Sequence, residues 1–158
     1  MDGAITKAPL GGKKTGPNPT GRAKDGTKRS LLTDGRDVPL GLAVDGANRS
    51  GFKMTQETIE STPGERPMPT RVRPQGMRLD KRYDYDEARF VVDGYGFTPH
   101  VRSRGEEARC MREEGFEPRR WVVERTHSRM NRFRRILVRW EIRGKFLLSQ
   151  PGSALRGC

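Results

Sequence analysis

The sequence carries 20 Asp and Glu residues, and only a position in a fold can make any of them a catalyst. Two stand where a fold would use them. Asp80 follows the short run GMRL (76–79) and opens DKRYDYDEAR, and in a mixed sheet ligand-binding groups gather at strand ends. Glu124 falls one turn into the longest stretch free of Gly and Pro, from Arg119 to about Arg143, which reads as a helix. Carboxylate oxygens from distant parts of a chain suit hard divalent cations. Such ions polarise a phosphate, generate the attacking oxygen and stabilise the leaving one. Metal-assisted cleavage or transfer at a phosphodiester would need such a set, but composition alone does not select these acids from the 20. Each acid also has a plainer reading, Asp80 as a helix N-cap and Glu124 as a solvated residue beside Ser128 or Arg120. Asp2, taken alone, is an ordinary exposed residue.

The charge balance points to a polyanion. Lys and Arg number 32, giving a formal charge of +12 over 158 residues, which favours DNA or RNA as partner. Lys13, Lys14, Arg22, Lys24 and Lys28 are candidate phosphate contacts, with plain linker as the rival reading, and the arginine-rich run containing Arg125, Arg132 and Arg135 fits a phosphate track. A competing class is a ribosome-associated or partly disordered basic protein, because 19 Gly and 11 Pro work against uniform packing. Two cysteines, Cys110 and Cys158, make no disulfide framework, and His100 and His127 give no zinc-ligand spacing; His127 reads as a core-edge residue. No apolar run of membrane length and no signal-peptide pattern occurs. The expected setting is a reducing cytoplasm, in association with the nucleoid.

The elements that must position these acids follow from pattern. Residues 1–28 read as a basic, Gly-rich segment, mostly loop, of which only the first few residues can pair with a sheet. RSLLTDGRDVPLGLAVD (29–45) places two apolar runs around Asp34-Gly35 and predicts a hairpin. MTQETIEST (54–62) is helix-capable, and the proline-rich stretch after it excludes regular structure. Gly76–Leu79 reads as a strand, Tyr85–Asp93 as a helix, and Phe97–Ser103 as a strand that Pro99 confines to an edge. Residues 106–114 suggest a short helix. In the last helix, at about 100° per residue, Val122, Val123, Met130, Phe133, Ile136, Leu137 and Trp140 share one arc, the expected buried face. Arg120, Glu124, Ser128, Asn131 and Arg135 cluster beside it, where a carboxylate faces the rim of a sheet.

Four segments carry a resemblance to a known family: MDGAITKAPLGG with KTGPNPTGR, GTKRSLLTDGRDVPLGLAVDGANR, LDKRYDYDEAR with GYGFTPHVRSRGEEA, and RRWVVERTHSRMNRFRRILVRWE. Together they resemble the DDE transposases of bacterial insertion sequences, in particular the group often encoded in two overlapping frames. The resemblance implies an α/β, RNase H-like mixed sheet flanked by helices, with a catalytic core over 29–143 and an atypical tail over 144–158 without sustained order. It implies Asp2 (MDGA), Asp80 (LDKRYD) and Glu124 (WVVERTHS) as the acids holding Mg²⁺, with Mn²⁺ as a substitute. Arg120 and Asn131 would contact strand ends on the face of the glutamate. The partners implied are the element's terminal inverted repeats, target DNA, further copies of the chain and an upstream-frame product. An inactive remnant or a regulatory DNA-binding protein is the alternative.

Three features depart from that pattern. Arg82 stands where the family has Gly, so a strained turn is expected beside Asp80. Arg129 replaces a large aromatic on the apolar arc, where a buried guanidinium must pair or reach solvent. EIRGKFLLSQPGSALRGC replaces the closing apolar helix. With Asp2 next to Met1, an incomplete first strand and little or no activity of this chain alone are also expected.

Overall fold

A computed structural model of the chain describes residues 1–21, 24–64, 66–101, 112 and 120–142. Among these the strands are β1 (Asp2–Lys7), β2 (Gly16–Pro17), β3 (Asp25–Thr33), β4 (Pro39–Gly46), β5 (Gln75–Arg78) and β6 (Phe97–His100). The helices are α1 (Thr55–Glu60), α2 (Asp86–Gly94), α3 (Arg120–Met130) and α4 (Arg134–Leu137), with 3₁₀ turns at Gly51–Met54 and Lys81–Tyr83. β3 pairs antiparallel with β1 and with β4, and β2 pairs with the first two residues of β3. β5 and β6 form a parallel pair. Met1 joins the two sheets: its amino group donates to the Arg78 carbonyl (2.5 Å) and its carbonyl accepts from the Asp80 amide (3.2 Å). That alternation is a parallel ladder. The order across the joined sheet is β4, β3, β1, β5, β6.

Side chains alternate across a strand, and Leu31 and Leu32 use both faces. Leu32 enters a core with Ile59 of α1, Val92 of α2, Met77, Leu79 and Tyr83. Leu31 enters a second core with Val123 and Met130 of α3 and Ile136 of α4. A mixed α/β sheet is thus covered by α1 and α2 on one side and α3 and α4 on the other. Burying an aliphatic side chain of this size contributes about 2 kcal/mol, and it requires apolar residues at consecutive positions of a central strand.

The hairpin expected around Asp34-Gly35 forms, with a five-residue loop in place of a two-residue turn. Asp34 Oδ1 accepts from the amides of Arg36 (2.8 Å) and Val38 (2.9 Å), and Asp37 takes the left-handed conformation (φ 75°). Side-chain acceptance of this kind replaces the backbone bonds of a tight turn. The N-terminal segment differs from the expected loop. β1 pairs over all six of its residues, so Asp2 opens a strand that follows it, and β3 already starts at Asp25. The lysines and glycines of 1–28 hid this pairing because they break the apolar alternation on which a strand assignment rests.

The last helix is also shorter than its pattern. Residues 131–133 close with three-residue bonds, Arg132 to Arg129 and Phe133 to Met130, and Phe133 turns extended. An unbroken helix over 119–143 would span about 37 Å, against about 30 Å for the nine-residue β3 beneath it. The break keeps Ile136 on Leu31 and leaves Phe133, Leu137 and Trp140 exposed, contrary to the expected apolar face. Val138 then bridges to Lys7 of β1. Arg139, buried, donates to the Glu141 carbonyl (2.8 Å), Thr27 Oγ1 (3.0 Å) and the Ile142 carbonyl (3.2 Å). The helix expected over 106–114, and the tail over 144–158, lie outside the described residues.

Candidate active site

A cleft of about 410 Å³ opens where four elements end. Its walls are Met1 and Asp2 at the start of β1, Thr33, Asp34 and Gly35 at the β3–β4 loop, Arg78, Leu79 and Asp80 after β5, and Val122, Val123 and Glu124 on α3. Asp2, Asp80 and Glu124, far apart in sequence, therefore share one cavity. Asp2 is brought there by the β1–β3 register, Asp80 by the Met1 ladder, and Glu124 by the burial of Val122 and Val123 beside it. A fourth acid, Asp34, lines the same cleft; sequence reasoning used it only as a turn residue, and the signal that could have found it is its place at the same sheet end as Asp2.

Burial holds the Asp2 carboxyl above the usual carboxylate range, and the charges of Asp80 and Glu124 push it further the same way; the Gly3 amide (2.7 Å) and the terminal ammonium oppose them. Asp80 caps the 3₁₀ turn at Lys81–Tyr83, accepting from the Arg82 amide (3.3 Å). The strain expected from Arg82 does not arise: among described residues, the non-Gly residues at positive φ are Lys14 and Asp37, and Arg82 lies within the turn.

The donor set consists of hard oxygens, which suit a divalent cation such as Mg²⁺. Among the described residues no three acids, His or Cys stand close enough together, as placed, to hold a metal ion. The acids line an open cleft.

The candidate nucleic-acid contacts are distributed. Lys13 is exposed. Lys14, also exposed, lends its carbonyl to Thr27 Oγ1 (3.2 Å) and Arg139 Nη1 (3.3 Å). Lys28 donates to the Arg49 carbonyl (2.6 Å), and burial, with Arg82 nearby, lowers its ammonium below the ordinary lysine range. Arg132 is exposed on the turn after α3. Arg120 and Arg135 lie on α3 and α4, and Arg22 falls outside the described residues. Arg125 Nε donates to Asp37 Oδ2 (2.9 Å), and Arg129 Nη1 reaches the same oxygen (2.8 Å). Arg129 thus keeps half its surface in solvent and its charge paired, which resolves the cost expected of a guanidinium on the apolar arc.

Asn131 Oδ1 accepts from Nη2 of the buried Arg29 (2.8 Å), whose Nε and Nη1 have no hydrogen-bond partner among the described residues. Burial pushes Arg29 down to about 10. His127, buried beside it, has no well-formed hydrogen bond on either ring nitrogen among the described residues; burial, then the Arg29 charge, outweigh the opposing effect of the nearby Asp2 backbone and push it down from 6.5 to about 4. The ring is neutral in the fold. Between pH 6.5 and 4 the unfolded chain binds a proton here that the folded chain refuses, so stability falls as pH drops through this window and levels off below it. Denaturant unfolding at pH 7 and pH 5 is expected to show about 2 kcal/mol more loss for the wild type than for His127→Leu. An equal loss in both chains would show that His127 titrates normally.

No helix among the described residues is long and apolar enough to cross a membrane. A mixed sheet with an acid-lined cleft in a strongly basic chain is a combination that occurs in enzymes of nucleic-acid processing. The sequence is 36% identical over 144 residues to a Burkholderia cepacia protein named "Putative transposase for insertion sequence element IS402". By this likeness the chain is similar to a protein named as a transposase of a bacterial insertion sequence. The match covers 87% of the chain and 66% of the relative's length, just under two thirds. No family model and no solved structure matches the chain.

Proposed function

We propose that this chain is the catalytic part of a DDE-type transposase, cutting and joining DNA phosphodiesters at insertion-sequence ends with Asp2, Asp80 and Glu124 as its acids. The observation that carries the reading is their shared cleft, reached from three distant segments. The strand order β4, β3, β1, β5, β6, antiparallel on one side of β1 and parallel on the other, supports an RNase H-like fold. In this reading the three carboxylates hold Mg²⁺, which when bound supplies Lewis acidity at the phosphate. The protein's own part is to present three hard donors at the end of a sheet and to hold DNA by charge. Lys13, Lys14, Lys28, Arg120, Arg125, Asn131, Arg132 and Arg135, with Arg22, are the residues proposed to meet the DNA, and the net charge of +12 favours that contact.

The test is incubation of the purified chain with DNA bearing the element's terminal repeats and Mg²⁺. Weak nicking followed by joining of the freed 3′ end is the expected result, since little activity is expected of this chain alone. Cutting without joining would indicate a nuclease, and binding without cutting a regulatory or inactive DNA-binding protein.

A further inference from the structure

We propose that Asp37 is a positioning residue that sets α3, and with it Glu124, across the cleft; this rests on reading Glu124 as the third acid. The Asp37 side chain is 3% exposed; its Oδ2 accepts from Arg125 Nε (2.9 Å) and forms an ion pair with Arg129 Nη1 (2.8 Å), one helical turn apart. The Thr126 hydroxyl, itself buried, donates to its other oxygen. All three donors lie within six residues of Glu124, on the turn that carries it and the turn after. The acceptor comes from the loop whose Asp34 and Gly35 form the opposite wall of the cleft. One carboxylate thus ties the two walls together.

Apolar contacts of Val123 and Met130 with Leu31 hold the helix against the sheet, but apolar attraction has no direction. A small rotation or slide of the helix would move Glu124 relative to the cleft while such contacts re-form at little cost. A buried carboxylate bound by half-exposed arginines and a buried hydroxyl fixes rotation and register because its partners must meet it at set atoms. Asp37 adopts φ 75°, a conformation costly to a residue with a Cβ. Such strain persists where surrounding contacts over-determine it.

The test is hydrogen–deuterium exchange on the full chain carrying Asp37→Gly or Asp37→Asn. Glycine suits the left-handed φ, so the first variant keeps the loop while removing the carboxylate; asparagine keeps a bond to Thr126 without the charge. Amides 122–130 are expected to exchange about tenfold faster in Asp37→Gly and less so in Asp37→Asn, with β3 and β4 unchanged. The nicking rate on saturating DNA should fall roughly tenfold in Asp37→Gly, while DNA affinity holds or rises because two arginines are released. Unchanged exchange over 122–130 overturns the proposal. So does faster exchange with undiminished nicking in a chain that Glu124→Gln silences. If Glu124→Gln leaves nicking intact, the catalytic reading fails, and exchange alone then decides whether Asp37 fixes the helix.

Discussion

Replacing Asp80 by Asn, or Glu124 by Gln, is expected to lower DNA nicking by on the order of 10³-fold while DNA binding persists. A hard carboxylate ligand to a catalytic cation is worth several kcal/mol of transition-state stabilisation, and about 1.4 kcal/mol corresponds to a factor of ten. Both replacements keep shape. Asn at 80 retains an acceptor for the Arg82 amide, which closes the turn, and Glu124 is exposed, so neither change opens a cavity. Each removes one negative charge from a chain of net charge +12, so affinity for DNA should hold or rise. Asp2→Asn belongs to the same set, since its amide oxygen can still accept from Gly3. Gel assays of nicking and of binding on one DNA, run side by side, check this; full nicking by all three variants would place the chemistry elsewhere.

Gly41→Ala is expected to cost at least about 3 kcal/mol and to lower the melting temperature by roughly 10 °C. Gly41 lies opposite Leu32, on the face that receives α1. A Cβ there would stand 2.3 Å from the Thr58 carbonyl oxygen and 3.0 Å from the hydroxyls of Ser61 and Thr62. The end of α1 is held by its own bonds: Ser61 Oγ donates to the Thr58 carbonyl (2.8 Å) and accepts from the Leu42 amide (2.7 Å). Neither helix nor strand can retreat without breaking them. Gly35→Ala is the control, because nothing lies within 4 Å of its Cβ direction, and it should leave stability within about 0.5 kcal/mol. Thermal unfolding of the two variants separates the cases, and equal melting temperatures would show that α1 is not seated as described.

The sequence made the local elements readable where they obey one rule at a time. The β3–β4 hairpin, α1, α2, β5 and the proline-marked β6 follow from apolar period and turn residues. β1 was obscured because its pairing partner lies beyond a Gly- and Lys-rich stretch. The end of α3 was obscured because a continuous apolar arc says nothing about the length of the sheet beneath it. All three acids were selected by family resemblance, with element position as added support for Asp80 and Glu124 but not for Asp2. The Asp37 clamp and the buried Arg29–His127 pair could not be, since both join residues about 90 to 100 positions apart and depend on the tertiary path. Arg129, which looked like a misfit on the apolar arc, became intelligible only once its partner was in view.

The central claim is that three acids from three elements serve one site, and Mn²⁺ binding followed by electron paramagnetic resonance tests it most directly. The free and bound ion differ in signal, so the full chain can be titrated beside Asp2→Asn, Asp80→Asn and Glu124→Gln. Binding by the wild type and a weakening of about tenfold or more in each single variant are expected. Undiminished Mn²⁺ binding in all three variants would contradict the claim.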